Sequence, residues 1–130
     1  MASFAVVIRG SAILGQSAWN ALRFCETATE LGHAILRVFF HSNGVDIANV
    51  NRIMPQDEID LLSRWQQLHA KTNLDIIVCV SSALKHGILD ESEALRRHKL
   101  ATLAPFIEIG GLGQLIEATT MADKVVSFHD

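Results

Sequence analysis

The chain has few of the residues from which metal, redox and nucleic-acid sites are usually built. It contains two cysteines, two prolines and no tyrosine among its 130 residues. The cysteines form no C-x-x-C pair, and no two of the six histidines have H-x-x-x-H or H-E-x-x-H spacing. We therefore expect no metal and no dithiol redox site. Eleven basic against fourteen acidic residues give a net charge of −3, which argues against direct nucleic-acid binding.

Long apolar runs are also missing. No run approaches the roughly 20 residues that a membrane span needs, and the first eight residues carry no basic region. We expect no membrane span, no signal peptide and a cytoplasmic protein with reduced thiols. Apolar residues still make up 49% of the chain. This content indicates a sheet covered on both faces and, in addition, a subunit interface.

Strand and helix patterns alternate along the chain, which predicts one α/β domain over residues 1–130. The fold class is a three-layer α/β/α domain with a five-stranded parallel sheet, flavodoxin-like in general architecture. The predicted strands cover 4–9, 34–40, 74–80, 105–109 and 124–128. The predicted helices cover 16–31, a segment that opens at Pro55, 81–86, 90–99 and a segment after Gly111, while 41–45 is expected to be loop. Gly32 and Gly87 are expected to end helices.

Two further patterns concern the loops and the last helix. The glycine-rich segments 10–15 and 110–113 match neither a dinucleotide fingerprint nor a P-loop, so no nucleotide site is predicted. The last helix carries a spaced apolar stripe. The stripe consists of Leu112, Leu115, Ile116, Thr119 and Ala122.

The two cysteines lead to opposite predictions. Cys25 lies on the apolar stripe of the first helix, where a free cysteine acts as a small hydrophobe. Cys79 ends an apolar strand, and Ser81-Ser82 follow it in a predicted helix. Parallel sheets bind ligands at their carboxyl edge, and a thiol at a helix start ionises more easily. Cys79 is therefore the candidate catalytic residue, with Lys85 and His86 as candidates for stabilising its thiolate.

Residues 77–94, which read IVCVSSALKHGILDESEA, resemble the active-site segment of the DsrE/TusD family of sulfurtransferase subunits. Further similarities lie at 39–40, 44–45, 48–49, 65–68, 111–113 and 123–128, in the same order as in the family. Residues 41–43 and 100–102 are less similar. The resemblance therefore covers nearly the whole chain and implies that Cys79 carries sulfur as a persulfide, without a cofactor.

The resemblance also implies partners. Family members work in a 2:2:2 heterohexamer with two related subunits, DsrF/TusC-like and DsrH/TusB-like. The expected donor is a small TusA-like carrier, and the expected acceptor is a DsrC/TusE-like protein with a cysteine on a flexible arm. Overall similarity favours the Dsr branch, in which the relay serves cytoplasmic oxidation of stored sulfur. Two alternatives stay open: a TusD-like relay for tRNA wobble 2-thiouridine, and a non-catalytic flavodoxin-like interaction module.

Overall fold

A computed structural model describes all 130 residues, Met1–Asp130. The sheet contains five strands: β1 Ser3–Ile8, β2 Ala34–Phe40, β3 Ile76–Cys79, β4 Glu108–Gly110 and β5 Lys124–Phe128. The helices are α1 Ser17–Glu30, α2 Leu61–Thr72, α3 Val80–Lys85, α4 Glu91–Arg96 and α5 Leu112–Met121, with a 3₁₀ helix over Ser42–Ala48. The predicted alternation and the α/β class are confirmed. None of the helices combines the length and apolarity that crossing a bilayer requires.

The strand order is β4-β3-β2-β1-β5, and all strand pairs are parallel. The chain therefore steps in one direction from β1 to β4 and then crosses back to place β5 beside β1. Because parallel crossovers are right-handed, this reversal places α5 on the opposite side of the sheet from α1 and α2. We call the two sides the α1 face and the α5 face.

The α1 face carries most of the core. A continuous cluster of 21 buried residues joins α1 and α2 to alternate residues of the central strands, such as Val6, Val38 and Ile76. Trp65 of α2 is 1% exposed and meets Phe40 edge-on, with ring centroids 5.5 Å apart. The side-chain alternation of strands explains this arrangement, because every second residue points to the same face.

The α5 face is covered more thinly. Its separate apolar cluster contains Phe39, Ile77 and Cys79, with Leu115 packed against it. Arg37 also ties α5 to the sheet, since its guanidinium donates to Asp75 at 2.6 Å and to the Gln114 carbonyl at 2.8 Å. A polar network thus supplements a small apolar contact on this side.

The apolar stripe of α5 is divided between the sheet and the outside. Leu115 packs on the sheet and Ala118 is the buried residue of the helix, whereas Leu112 is 62% exposed and Ile116 is 63% exposed. Part of the stripe therefore faces away from the sheet. On the same side of the molecule, Val125 of the edge strand β5 is also exposed.

Several predicted boundaries need correction. Residues 42–45 are not loop but part of the 3₁₀ helix, and His41 precedes it in an extended conformation. The second helix begins at Leu61 rather than Pro55, because Pro55 starts a turn whereas the Asp60 side chain accepts from the Ser63 N–H at the true helix start. The fourth strand begins at Glu108, since Pro105 lies in a turn. Val80 belongs to α3, and α4 ends at Arg96.

The predicted helix ends on glycine are confirmed. Gly32 and Gly87 have φ values of +86° and +72°, in the left-handed region that a residue without Cβ adopts most readily. Each glycine lies one residue beyond the end of its helix: Leu31 separates Gly32 from α1, and His86 separates Gly87 from α3. Gly32 thus lies between α1 and β2, and Gly87 lies on the segment that leaves α3, the helix that follows Cys79.

Candidate active site at the carboxyl edge of the sheet

Cys79 is the last residue of β3 and the residue before α3. The apolar run before it forms a strand buried between β2 and β4, and its last pair joins Cys79 to Gly110 of β4. The thiol therefore lies at the carboxyl edge of the sheet, as the sequence predicts.

The site coincides with the point where the topology reverses. The chain leaving β3 enters α3, whose Ala83 belongs to the core on the α1 face. The chain leaving β4 enters α5 on the other face. Loops that leave neighbouring strands toward opposite faces open a crevice between them, which is where open α/β sheets bind ligands. Cys79 lies at the edge of that crevice, with its side chain in the α5-face cluster.

The thiol is nearly enclosed and is held by two serines. Cys79 is 7% exposed, and its Sγ lies 3.4 Å from the Ser81 Oγ. Burial acts to raise the pKa of Cys79, but hydrogen bonds from the side chains and backbones of Ser81 and Ser82 outweigh it and lower the pKa. Because the thiolate is the reactive form of cysteine, these contacts prepare the sulfur for nucleophilic attack.

The β4 side of the thiol is kept open by glycine. A Cβ on Gly110, the strand partner of Cys79, would come within 1.9 Å of the Gln114 Oε1 and 2.8 Å of the Ile77 Cγ2. That Gln114 oxygen accepts from the Gly111 N–H at 3.1 Å and fixes the start of α5. The absent side chain thus lets α5 start directly beside the thiol, which agrees with the tight turn predicted for this segment.

Cys25 has none of these features. It is fully buried in the α1-face core, where burial and then the neighbouring Glu26 charge raise the pKa of its thiol. A thiol with a raised pKa and no solvent access stays protonated and unreactive. The predicted packing role of Cys25 agrees with this environment.

The residues proposed from sequence as helpers of Cys79 lie elsewhere. Lys85 ends α3 and His86 follows it, and both are exposed. The site has instead a neighbour that the sequence did not indicate: His41 follows β2 directly, one residue beyond the pair Phe40–Val78. Only strand register brings His41 beside Cys79, and the one sequence signal for it is that 41–43 departs from the family pattern.

A separate cleft lies away from Cys79. It has a volume of about 600 Å³ and lies between the β1–α1 loop and residues 52–59, with Ile13, Trp19 and Ile53 among its walls. Neither Cys79 nor its serines line it. No three histidine, cysteine or carboxylate side chains come together as a metal ion would need. Cys79 and its serines therefore lie outside this cleft, at the carboxyl edge of the sheet.

Comparison with known proteins agrees with this picture. A profile of the DsrE/DsrF-like family matches residues 2–128. The chain is 41% identical to the putative sulfurtransferase DsrE of Allochromatium vinosum over 128 residues, which covers 98% of each chain. It is 43% identical to the sulfurtransferase TusD homolog of Pseudomonas aeruginosa over 86% of each chain.

Two further relatives extend the comparison. The sulfurtransferase TusD of Cronobacter sakazakii is 39% identical over 96% of this chain and 98% of its own. Among solved structures, the ychN protein from E. coli superposes with a TM-score of 0.78 at 22% identity, covering 98% of this chain and all of that one. The latter similarity supports the fold.

Proposed function

Because this chain belongs to the DsrE/DsrF-like family, we propose that it is a sulfurtransferase subunit, a single domain over 1–130 in which Cys79 carries sulfane sulfur as a persulfide. The proposal rests on two properties of Cys79, its position in the sheet and the lowered pKa of its thiol. Its thiol lies at the topological switch of a parallel sheet, and its pKa is lowered by Ser81 and Ser82.

The chemistry is a pair of thiol exchanges. The Cys79 thiolate attacks the outer sulfur of a donor persulfide, the donor S–S bond breaks, and the donor leaves as a thiolate. An acceptor thiolate then attacks the outer sulfur of the Cys79 persulfide and releases the Cys79 thiolate. One S–S bond forms for each that breaks, so neither step needs an oxidant, a metal or an organic cofactor.

Intact mass tests this function directly. The reduced protein is incubated with glutathione persulfide, and its mass is recorded beside Cys79→Ser and the matched control Cys25→Ser. We expect wild type and Cys25→Ser to gain sulfur and Cys79→Ser to gain none. Full loading of a folded Cys79→Ser variant would refute the assignment.

We place the subunit in a cytoplasmic relay for the oxidation of stored sulfur, with a TusA-like donor and a DsrC-like acceptor. The match to the DsrE relative over 98% of both chains supports this branch. The second candidate is a relay for tRNA 2-thiouridine with a TusE-like acceptor, which the TusD relatives favour. Transfer of labelled sulfur from loaded protein to a DsrC-like or a TusE-like acceptor, compared in parallel, distinguishes the two.

The proposed partners are a DsrF/TusC-like and a DsrH/TusB-like subunit in a 2:2:2 heterohexamer. The outward apolar stripe of α5 supports this, because Leu112 and Ile116 lie exposed on the thinly covered face and large exposed patches mark interaction sites. Co-purification of the three subunits and light scattering of the product test it. A chain that stays monomeric with both partners present would contradict it.

A further inference from the structure

We propose that His41 is the acid–base residue of sulfur transfer at Cys79; the proposal rests on the function given above. The carrying observation is a row of three side-chain positions at the carboxyl edge of three neighbouring strands, Arg9, His41 and Cys79, which we call the edge row.

Strand register places the edge row. Phe40 of β2 pairs with Val78 of β3 and with Ile8 of β1, so the next positions are His41, Cys79 and Arg9. The His41 N–H donates to the Ile8 carbonyl at 3.0 Å and keeps β2 extended there. Neighbouring strands lie about 4.8 Å apart, and residues at equivalent positions point to the same face.

A chain of contacts runs from His41 through Ser42 to Ser82, one of the two serines that lower the pKa of Cys79. The His41 Nδ1 lies 3.1 Å from the Ser42 Oγ, and the Ser42 N–H donates to the Ser82 Oγ at 3.0 Å. Ser42 has a φ of +54°, which is uncommon for a residue with a side chain. Because the Ser82 oxygen accepts from Ser42, its proton is left to donate to Cys79. The contact with Ser42 also leaves the His41 Nε2 available to a bound thiol.

The charges around His41 favour its neutral form. Burial and then the positive charge of Arg9 lower the pKa of His41, so the imidazole is ready to accept a proton at neutral pH. Arg9 and Ser42 also line a cleft of about 420 Å³ together with His129 and Asp130, although neither His41 nor Cys79 lines it. The one carboxylate of that cleft, Asp130, already accepts from the Ser17 N–H at 3.2 Å.

The proton steps then balance. His41 takes the proton of the Cys79 thiol, and the thiolate attacks the outer sulfur of the donor persulfide. The donor S–S bond breaks, and the imidazolium returns the proton to the leaving donor thiolate. In the second half, His41 takes the proton of the acceptor thiol and gives it to Cys79 as the acceptor removes the outer sulfur. The outer sulfur keeps its own hydrogen throughout.

Single-turnover loading as a function of pH tests the role of His41. Glutathione persulfide is mixed with wild type, His41→Gln and the matched control His69→Gln, whose ring packs on Phe106 away from the edge row. The reactions are quenched and read by intact mass. We expect His41→Gln to load about 10²-fold more slowly at neutral pH but to the same end point. The wild-type rate should fall as the pH drops below the usual range of histidine, and this limb should vanish in His41→Gln.

Chemical rescue by imidazole distinguishes a loss of acid–base catalysis from structural damage in the His41 variant. We expect added imidazole to accelerate loading of His41→Ala and to leave wild type and His69→Gln unchanged. A wild-type rate and pH profile in His41→Gln, or a slow His41→Ala that imidazole does not accelerate, would overturn the role of His41 while leaving the function of Cys79 intact. Failure of wild type itself to load would refute the proposed function and this inference with it.

Discussion

The α1 face and the α5 face of the sheet differ in how much apolar packing covers them, and each holds one of the two thiols. On the α1 face, 21 buried residues enclose Cys25 completely. On the α5 face, Cys79 belongs to a cluster of 3 buried residues, and much of the covering helix is exposed. The same amino acid is thus packing on one face and a prepared nucleophile on the other. The well-filled core and the thiol with the lowered pKa thus lie on opposite faces of the sheet.

The largest expected effect is on thiol reactivity. Iodoacetamide should alkylate Cys79 on the order of 10³-fold faster than Cys25, because Cys25 reacts only when the core opens. The lowered pKa of Cys79 means that its alkylation rate should reach half-maximum below the ordinary pKa of a cysteine thiol. Peptide mapping of each site over time measures both rates. Equal rates in the native protein would remove the distinction between the faces.

The next effect is on stability. Trp65→Ala should lower the free energy of unfolding by about 3–5 kcal/mol, because it empties a fully enclosed site on the α1 face. The counterpart on the α5 face, Leu115→Ala, should lower it by about 1 kcal/mol, since Leu115 is only partly buried. Urea unfolding monitored by circular dichroism compares the two. A larger loss for Leu115→Ala would reverse the assignment of the main core.

A smaller effect sharpens the description of the α1 face. Asp60→Ala should lower the free energy of unfolding by about 1 kcal/mol, since the Asp60 side chain satisfies the Ser63 N–H at the start of α2. Asp60→Asn is the matched control and should retain most of the stability. An unchanged midpoint for Asp60→Ala would mean that water replaces this cap without loss.

The smallest effect is expected on the outer side of α5. Ile116→Ser should change the stability of the isolated chain by no more than about 0.5 kcal/mol, because Ile116 is 63% exposed. The same variant should reduce assembly with the two related subunits, measured by light scattering of the co-purified complex. A loss above about 1 kcal/mol in the isolated chain would show that this stripe belongs to the core after all.

Local sequence was sufficient for most of the fold. The apolar runs and the glycine stops identified all five strands and the helices between them, and the run ending at Cys79 placed that thiol at the correct edge. The orientation of α5 was not predictable in this way. An apolar stripe at helical spacing shows that one side of a helix seeks burial, but it does not say whether the sheet or another subunit supplies the cover.

The surroundings of Cys79 show the same limit. Lys85 and His86 are close to Cys79 in sequence, yet an α-helix rises 1.5 Å per residue, so the length of α3 carries them to its far end. His41 is 38 positions away in sequence and lies one strand away in the sheet. Whether two residues on neighbouring strands lie side by side depends on the strand register, which is set by the pairing of whole strands.

The position of Cys79 at the end of a buried strand also fixes how far its sulfur can reach. A cysteine side chain turns about one bond, and its backbone is held by neighbours on both sides. A persulfide extends the chain by one S–S bond of about 2 Å. Cys79 therefore stays in place, and in the proposed relay the carrier proteins must move to it to deliver or collect sulfur. In the proposed relay, each transfer therefore requires a carrier that can bring its own thiol or persulfide into the crevice beside Cys79 and then leave it.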